Sequence, residues 1–405
     1  MAAKTQYQVT ENYDSVIKCN QVFPVTLDRK LSLKYQIPSG SQLFIDFARS
    51  SIEAGFQFLN VDGSPIIDES EYTIIEEPLL NCIQAITLSV AGRPCFTINS
   101  YNFCNYINKL AIDPEDLKPY FGMTGYGLDS APMNNPMVGF QKRRHDLLKF
   151  SVPWYLHGPL FLPQFSSNNA PLIPSDLEIG LEFELESSAF TVIRTDGKSH
   201  SILVNLLGFD LYVNYAVSRN AVQRPLRRAI KVPYQDQQLY KYTATRGVTN
   251  TSSGQIMLRN YPSKVIIFFT PDQLENQKIN PFNFESKTCS QVTIRVDGKE
   301  HTMDIDAGLK DYSLMYYNIY RALARKGSIG FEREDLSDGY FIIGMDLTTT
   351  GKSETDVPTK NSGCMVSVST QHSDALDANI TVNCMFYSAG LFSVSSNYFV
   401  ENTFV

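Results

Sequence analysis

Thr87-Leu-Ser-Val-Ala-Gly-Arg93 and Thr293-Ile-Arg-Val-Asp-Gly-Lys299, far apart in the chain, share one pattern: an alternating apolar run, a Gly turn and a basic residue. Alternation with a period of two places every second side chain on one face, the mark of a strand half-buried against a core. The Gly supplies the positive φ that a tight hairpin needs. The spacing then changes in both places. Tyr101, Cys104, Tyr106 or Ile107, and Leu110 or Ala111 recur at three and four residues, which predicts a short amphipathic helix over 101–111. A second helical pattern covers 312–324, and Tyr106-Ile-Asn-Lys-Leu-Ala111 resembles Tyr316-Tyr-Asn-Ile-Tyr-Arg-Ala322 with one extra residue. A strand, a turn and a Tyr- and Asn-containing helix therefore occur twice in the same order.

Strand patterns extend outward from both copies. In the first half they fall at 43–48, 56–58, 72–75, 83–90, 147–152, 177–185 and 202–213. The cleanest is 177–185, where Leu177, Ile179, Leu181, Phe183 and Leu185 share one face and Glu178, Glu182 and Glu184 the other. In the second half they fall at 265–269, 291–296, 340–348, 364–369 and 378–387. The Gly-, Pro-, Asn- and Gln-rich stretches 112–146, 161–176 and 236–262 read as long loops outside the cores.

Many short strands with one small helix per repeat fit two β-sandwiches better than a βαβ fold, which needs repeated crossover helices. The chain is therefore expected to be all-β, with two tandem jelly-roll sandwich domains, short helices and long external loops. The expected boundaries are 1–217 for the first domain, 218–230 for a basic connection and 231–405 for the second domain. The chain end, 391–405, stays apolar after the last clear strand and is expected to dock on its own or a neighbouring subunit.

Composition agrees with two cores, since 405 residues exceed what one ordinary core holds. The 25 Phe and 22 Tyr favour sheets over bundled helices. With 35 Lys and Arg against 42 Asp and Glu, the net charge of −7 offers no broad attraction for phosphate, so sequence-specific nucleic-acid binding is not expected. The basic stretches Lys142-Arg143-Arg144 and Arg224-Pro225-Leu226-Arg227-Arg228 read as solvated loops. No run approaches the roughly 20 apolar residues that span a bilayer, and no secretory leader is apparent, so no transmembrane anchor is expected. Seven scattered cysteines without C-x-x-C spacing read as small buried hydrophobes of a reducing compartment.

Motifs for chemistry are missing: there is no dinucleotide loop, Walker loop, H-E-x-x-H or nucleophile elbow. His145, His157, His200, His301 and His372 lack ligand spacing, so no metal, cofactor or catalytic residue is expected. His157 lies near Trp154, the only Trp, without a Ser or Cys paired to it, and reads as structural. Trp154 reads as a plug for a core or an interface. Asp304, Asp306 and Asp311 fail the EF-hand pattern and suit the start of a helix.

Four stretches together resemble the double jelly-roll, or hexon-like, major capsid proteins of DNA viruses, and especially the compact polinton-like and adintovirus-like forms. They are Trp154-Tyr-Leu-His-Gly-Pro-Leu-Phe161; the strand at 177–185 with Ser187-Ser-Ala-Phe-Thr-Val192; Asn280-Pro-Phe-Asn-Phe284 before the second Gly turn; and Gly339-Tyr-Phe-Ile-Ile-Gly-Met-Asp-Leu-Thr348. The resemblance covers most of residues 10–395. It implies a homotrimer forming a nearly hexagonal capsomer in the icosahedral capsid of a virion. The partners implied are neighbouring capsomers, a penton or vertex protein and minor or cement proteins. It implies no enzyme activity. Two other readings stand beside it: a carbohydrate-binding or adhesive double sandwich using Trp154, Tyr155, Tyr120 and Phe121, and a hydrolase on a jelly-roll scaffold.

Overall fold

The computed structural model of the chain describes residues 9–39, 43–66, 71–112, 120–127, 134–162, 173–174, 178–195, 201–218, 230–305, 312–323, 329–348, 363–394 and 400–403. The first half supplies eight main strands: β1 (Val9–Ile17), β2 (Leu31–Ile37), β3 (Leu43–Asn60), β4 (Ile83–Val90), β5 (Arg93–Asn99), β6 (Trp154–Pro159), β7 (Ile179–Leu185) and β8 (Ile202–Ser218). They form two antiparallel sheets of order β1-β8-β3-β6 and β2-β7-β4-β5.

The second half repeats the set with β9 (Ile230–Ala244), β10 (Asn250–Ser252, continued by Ile256–Leu258), β11 (Pro262–Pro271), β12 (Cys289–Val296), β13 (Lys299–Asp304), β14 (Ile342–Asp346), β15 (Cys364–His372) and β16 (Ile380–Val394). Its sheets run β9-β16-β11-β14 and β10-β15-β12-β13, which is the first order again. Successive strands cross between facing sheets and the fourth and fifth form a hairpin, so each half is a jelly roll. No strand of one half pairs with a strand of the other among the described residues.

The repeated stretches are these hairpins. Ala91 and Gly92 turn β4 into β5 at φ 50° and 72°, and Asp297 and Gly298 turn β12 into β13 at φ 48° and 84°. Two consecutive residues at positive φ make the turn whose twist matches the flanking strands. Each hairpin leads to a helix, α1 (Tyr101–Lys109) and α2 (Ser313–Leu323), close to the bounds the spacing predicts.

Alternation sets the cores. In β7, Ile179, Leu181, Phe183 and Leu185 are buried while Glu182 and Glu184 lean toward solvent. Phe183 meets Tyr35 of β2 edge-on and packs on Phe209 of β8. The Tyr35 hydroxyl donates to Phe209 O at 2.6 Å, tying one sheet to the other. Burial holds that hydroxyl far above the ordinary tyrosine value. In the second half β11 is buried along both faces, because helix α2 covers part of one.

Several expectations change. The patterns at 43–48 and 56–58 belong to one long strand, β3, with a register shift against β8 between Tyr212 and Asn214. The expected strand at 147–152 is the end of a helix, Gly139–Leu148, and a short 3-10 turn, Lys149–Ser151. That helix and another, Tyr120–Thr124, occupy the expected loop 112–146. The first buries Gln141, Arg144, His145 and Leu148, so this part is not an external loop. The expected loop 236–262 is mostly β9 and β10. Among the described residues strand β9 pairs with β16 alone, and an edge strand tolerates the Gln and Asp content that made it look like a loop. Of 161–176, Ile173–Pro174 adds a rung to β3, while 163–172 and 175–176 lie outside the described residues. So do 219–229 of the expected connection. Val400–Thr403 pairs with Leu391 to Val394 of β16, docking the chain end on its own subunit.

Candidate functional site: the seam between the two jelly rolls

Helix α1 is not amphipathic in its setting. Eight of its nine residues are buried, the exception being Asn108 at intermediate exposure. One side rests on its own half and the other on the second half. Phe282 stacks on Tyr106 with ring centres 4.4 Å apart and meets Phe103 at 5.5 Å and Phe190 at 6.3 Å. Phe284 meets Tyr106 edge-on at 5.7 Å, and Phe268 of β11 reaches Phe103 at 5.5 Å. Phe268 and Phe284 lie 4.5 Å apart and complete the cluster. Full burial of one such ring contributes roughly 1.5–3 kcal/mol, and each good aromatic pair about 0.5–1.5 more.

The segment carrying Phe282 is held from both sides. Asn280 Oδ1 accepts from the Phe282 N–H at 3.0 Å, a local turn that sets the ring direction. Phe284 N–H donates to Gly339 O, and Phe341 N–H donates to Phe284 O, binding it to the second half. Across the seam, Gln277 O accepts from Arg194 N–H at 2.7 Å and Gln277 Oε1 from Ile202 N–H at 3.0 Å. Its Nε2 donates back to Ser188 O and Ile202 O. The side-chain amides of Asn108 and Gln237 exchange hydrogen bonds at 3.1 and 3.3 Å, and Gly330 N–H donates to Leu110 O at 2.7 Å.

Beneath α1 lies a buried polar knot. Lys109 Nζ is 3.2 Å from Glu77 Oε1, and Asn105 Nδ2 donates to Glu77 Oε2 at 2.7 Å and to Asn81 Oδ1 at 2.8 Å. Beside the seam a cleft of about 500 Å³ is lined by Lys30, Glu186, Lys241, Asp272, Glu275 and Asn383 among others. Burial pushes the Glu186 carboxyl up against the opposing pull of Lys30, and desolvation pushes the Lys241 ammonium down.

No protein-family model matches the sequence, and no curated protein matches it either. Solved structures do match. The structure of the Sputnik virophage superposes with a TM-score of 0.65 at 13% identity, covering 98% of this chain and 89% of that one. The mavirus major capsid protein gives 0.60 at 11% identity, with 99% and 91% covered. The Faustovirus major capsid protein gives 0.56 at 9% identity, with 96% and 92% covered.

The fold is the double jelly roll of viral major capsid proteins. Within this double jelly roll, Asn280-Pro-Phe-Asn-Phe284 is the segment that clasps one roll to the other. The sequence carried it only as part of a resemblance, because two Phe around an Asn are too short a run to establish a period. Trp154 is half-buried against the first core and Tyr155 is 62% exposed, so the two do not form one aromatic platform. The side chains of Tyr120 and Phe121 lie outside the described ones.

His157 is exposed on β6, its Nδ1 3.4 Å from Glu53 Oε2 and its ring edge-on to Tyr212. Among the described residues no Ser or Cys is bonded to that imidazole. Of the basic stretches, Lys142 and Arg143 are exposed, but Arg144 is fully buried with Nε donating to Ile74 O at 3.1 Å, contrary to the expected solvated loop. Residues 224–228 lie outside the described residues. Asp304 ends β13 and accepts from Gln291 Nε2 at 2.7 Å, while Asp306 and Asp311 lie outside the described residues. Among the described residues no group of His, Cys, Asp and Glu could hold a metal, and no helix is long and apolar enough to cross a membrane.

Proposed function

We propose that this chain is a viral major capsid protein whose homotrimers are pseudo-hexagonal capsomers of an icosahedral virion shell. The observation that carries the reading is the seam: two jelly rolls of one strand order are joined through a buried aromatic cluster, so one polypeptide is already a block of two like units. Three copies supply six. The likeness of fold to the mavirus and Faustovirus major capsid proteins supports the same role. Its work is adhesion through broad surfaces, without catalysis or a cofactor. Its partners are two further copies, neighbouring capsomers, a penton or vertex protein and cement proteins. The domains divide within 218–230.

Sedimentation velocity of the purified chain, together with a glycan array, tests this. A trimer that binds no sugar is the expected result; a persistent monomer that binds glycans would replace the capsid reading with the adhesive one. Removing residues 398–405 should leave the circular-dichroism melt nearly unchanged and weaken association, since Val400–Thr403 only adds to the end of β16. Unchanged assembly at every concentration would show that the chain end is not part of the contact.

A further inference from the structure

The knot beneath α1 sets a charged pair against an amide, away from water. Glu77, Asn81 and Asn105 are at most 1% exposed and Lys109 is 8% exposed. Asn105 and Lys109 stand four residues apart on α1 and so share one face of the helix. The orientation of both amides follows from their partners. Asn81 Nδ2 donates to Glu76 O at 2.7 Å, so its Oδ1 is the atom turned toward Asn105. Asn105 Nδ2 meets two acceptors, that Oδ1 and Glu77 Oε2, which engages both of its amide hydrogens. The other oxygen of the same carboxylate, Glu77 Oε1, lies 3.2 Å from Lys109 Nζ. Glu77 thus spans an amine and an amide nitrogen.

Its backbone holds it there. Glu77 lies in the left-handed region, at φ 45° and ψ 58°, at the head of the short helix Pro78–Asn81. Its N–H donates to Gly125 O, and its carbonyl accepts from the N–H groups of Leu80 and Asn81. Such a conformation is costly for a residue with a Cβ and persists where the surroundings over-determine it, most often at functional sites.

We propose that Lys109 and Asn105 condense into an intramolecular isopeptide bond, with Glu77 as the proton carrier. Two protons leave Lys109 Nζ and pass to the Glu77 carboxylate in turn. The freed lone pair attacks Asn105 Cγ and forms the new C–N bond. The Cγ–Nδ2 bond breaks, and Nδ2 takes one of the two protons from Glu77 and departs as ammonia. The other proton stays on the carboxyl, and nothing is oxidised or reduced. An ammonium and a carboxylate, both costly to bury, become a neutral amide and a neutral acid, which favours the product. Amine, acid and amide are already assembled, so no encounter has to be made, and exclusion of water protects the reacting carbon from hydrolysis. The step occurs once per chain and acts on no outside substrate. It is a maturation of the protein that closes the last turn of the helix on which Phe282 packs.

Mass spectrometry of the purified full chain reads the bond directly. The expected intact mass is lower than that of the sequence by one ammonia. Trypsin should no longer cleave after Lys109, and fragment ions between positions 105 and 109 should be missing. Lys109→Arg keeps a cation beside Glu77 but offers no amine to acylate, so it should show the full mass and cleavage at 109. Glu77→Gln removes the proton carrier, and a variant shown by circular dichroism to be folded should also show the full mass.

A folded wild-type chain that keeps its full sequence mass through prolonged incubation at neutral pH would overturn the inference. So would an ammonia loss that leaves Lys109 cleavable, the mark of a cyclic imide at an asparagine, or a loss that persists in Lys109→Arg. A folded Glu77→Gln that loses ammonia as fast as wild type would overturn the role of Glu77. Should Glu77→Gln fail to fold, Lys109→Arg, which retains the buried cation, decides.

Discussion

Helix α1 has Asn102, Asn105 and Lys109 among its nine residues and is buried; α2 has Leu314 and Tyr317 and leaves them exposed. Burial here does not follow from the polarity of the helix itself. It follows from what the rest of the chain brings. Around α1 the chain brings Glu77 and Asn81 to receive the polar side chains and Phe282 and Phe284 to cover the rings. Around α2, Phe331 meets Tyr316 and Arg333 bonds to Ser313, while Leu314 and Tyr317 stay exposed. Two helices at the same place in the same topology thus differ in what the rest of the chain lays over them.

The sharpest way to break this contrast is to remove the cover from α1. Phe282 and Phe284 are both almost fully buried, and truncating a buried Phe costs about 3–5 kcal/mol. The pair Phe282→Ala/Phe284→Ala is expected to give the largest loss of stability and to split the calorimetric transition in two, as the jelly rolls lose their shared core. A single transition at the wild-type temperature would show that the seam does not join them.

A second test concerns the polar side of α1. Lys109→Ala leaves the Glu77 carboxylate buried without its cation, at a cost of about 3–5 kcal/mol by analogy with other broken buried pairs. Adding Glu77→Gln to Lys109→Ala should recover part of the loss, because no charge then remains to be desolvated. Urea titration of the four members of the cycle measures the coupling, and additive losses would mean that the two groups do not act as a pair.

Where side chains alternate or repeat at helical spacing, these elements were legible in advance. Strand β7, the two Gly turns and both helices lie where Leu181, Phe183, Gly92, Gly298 and Tyr106 put them. Strand β9 was not legible, because an edge strand keeps one side of its backbone unpaired and accepts Gln235, Asp236 and Gln238 without an apolar stripe. The helix at Gly139–Leu148 was hidden by the Pro and Gly before it. Burial of Arg144 depends on Ile74 O, a partner far away in sequence that no local pattern announces. The same holds for the seam: Phe282 and Tyr106 meet only after both jelly rolls have formed.

The smallest expected effect separates the two cores by pH. His372, buried in the second jelly roll, bonds through Nδ1 to Lys287 O and through Nε2 to Thr370 Oγ1. Burial lowers its pKa from the ordinary 6.5, with the bond to Lys287 O pulling the other way. A depressed folded pKa means that the unfolded chain takes the proton first. The contribution is therefore present above pH 6.5 and is lost as pH falls through the folded value. His372→Gln should flatten the fall in melting temperature on acidification below neutrality; an unchanged slope would show that His372 does not carry it.

The most direct test of the capsid reading is electron microscopy of the purified chain, carried to a reconstruction that resolves individual sandwiches. The expected particle is a closed block of three copies with six jelly rolls around one axis. A uniform population of isolated two-roll particles at every concentration would contradict it.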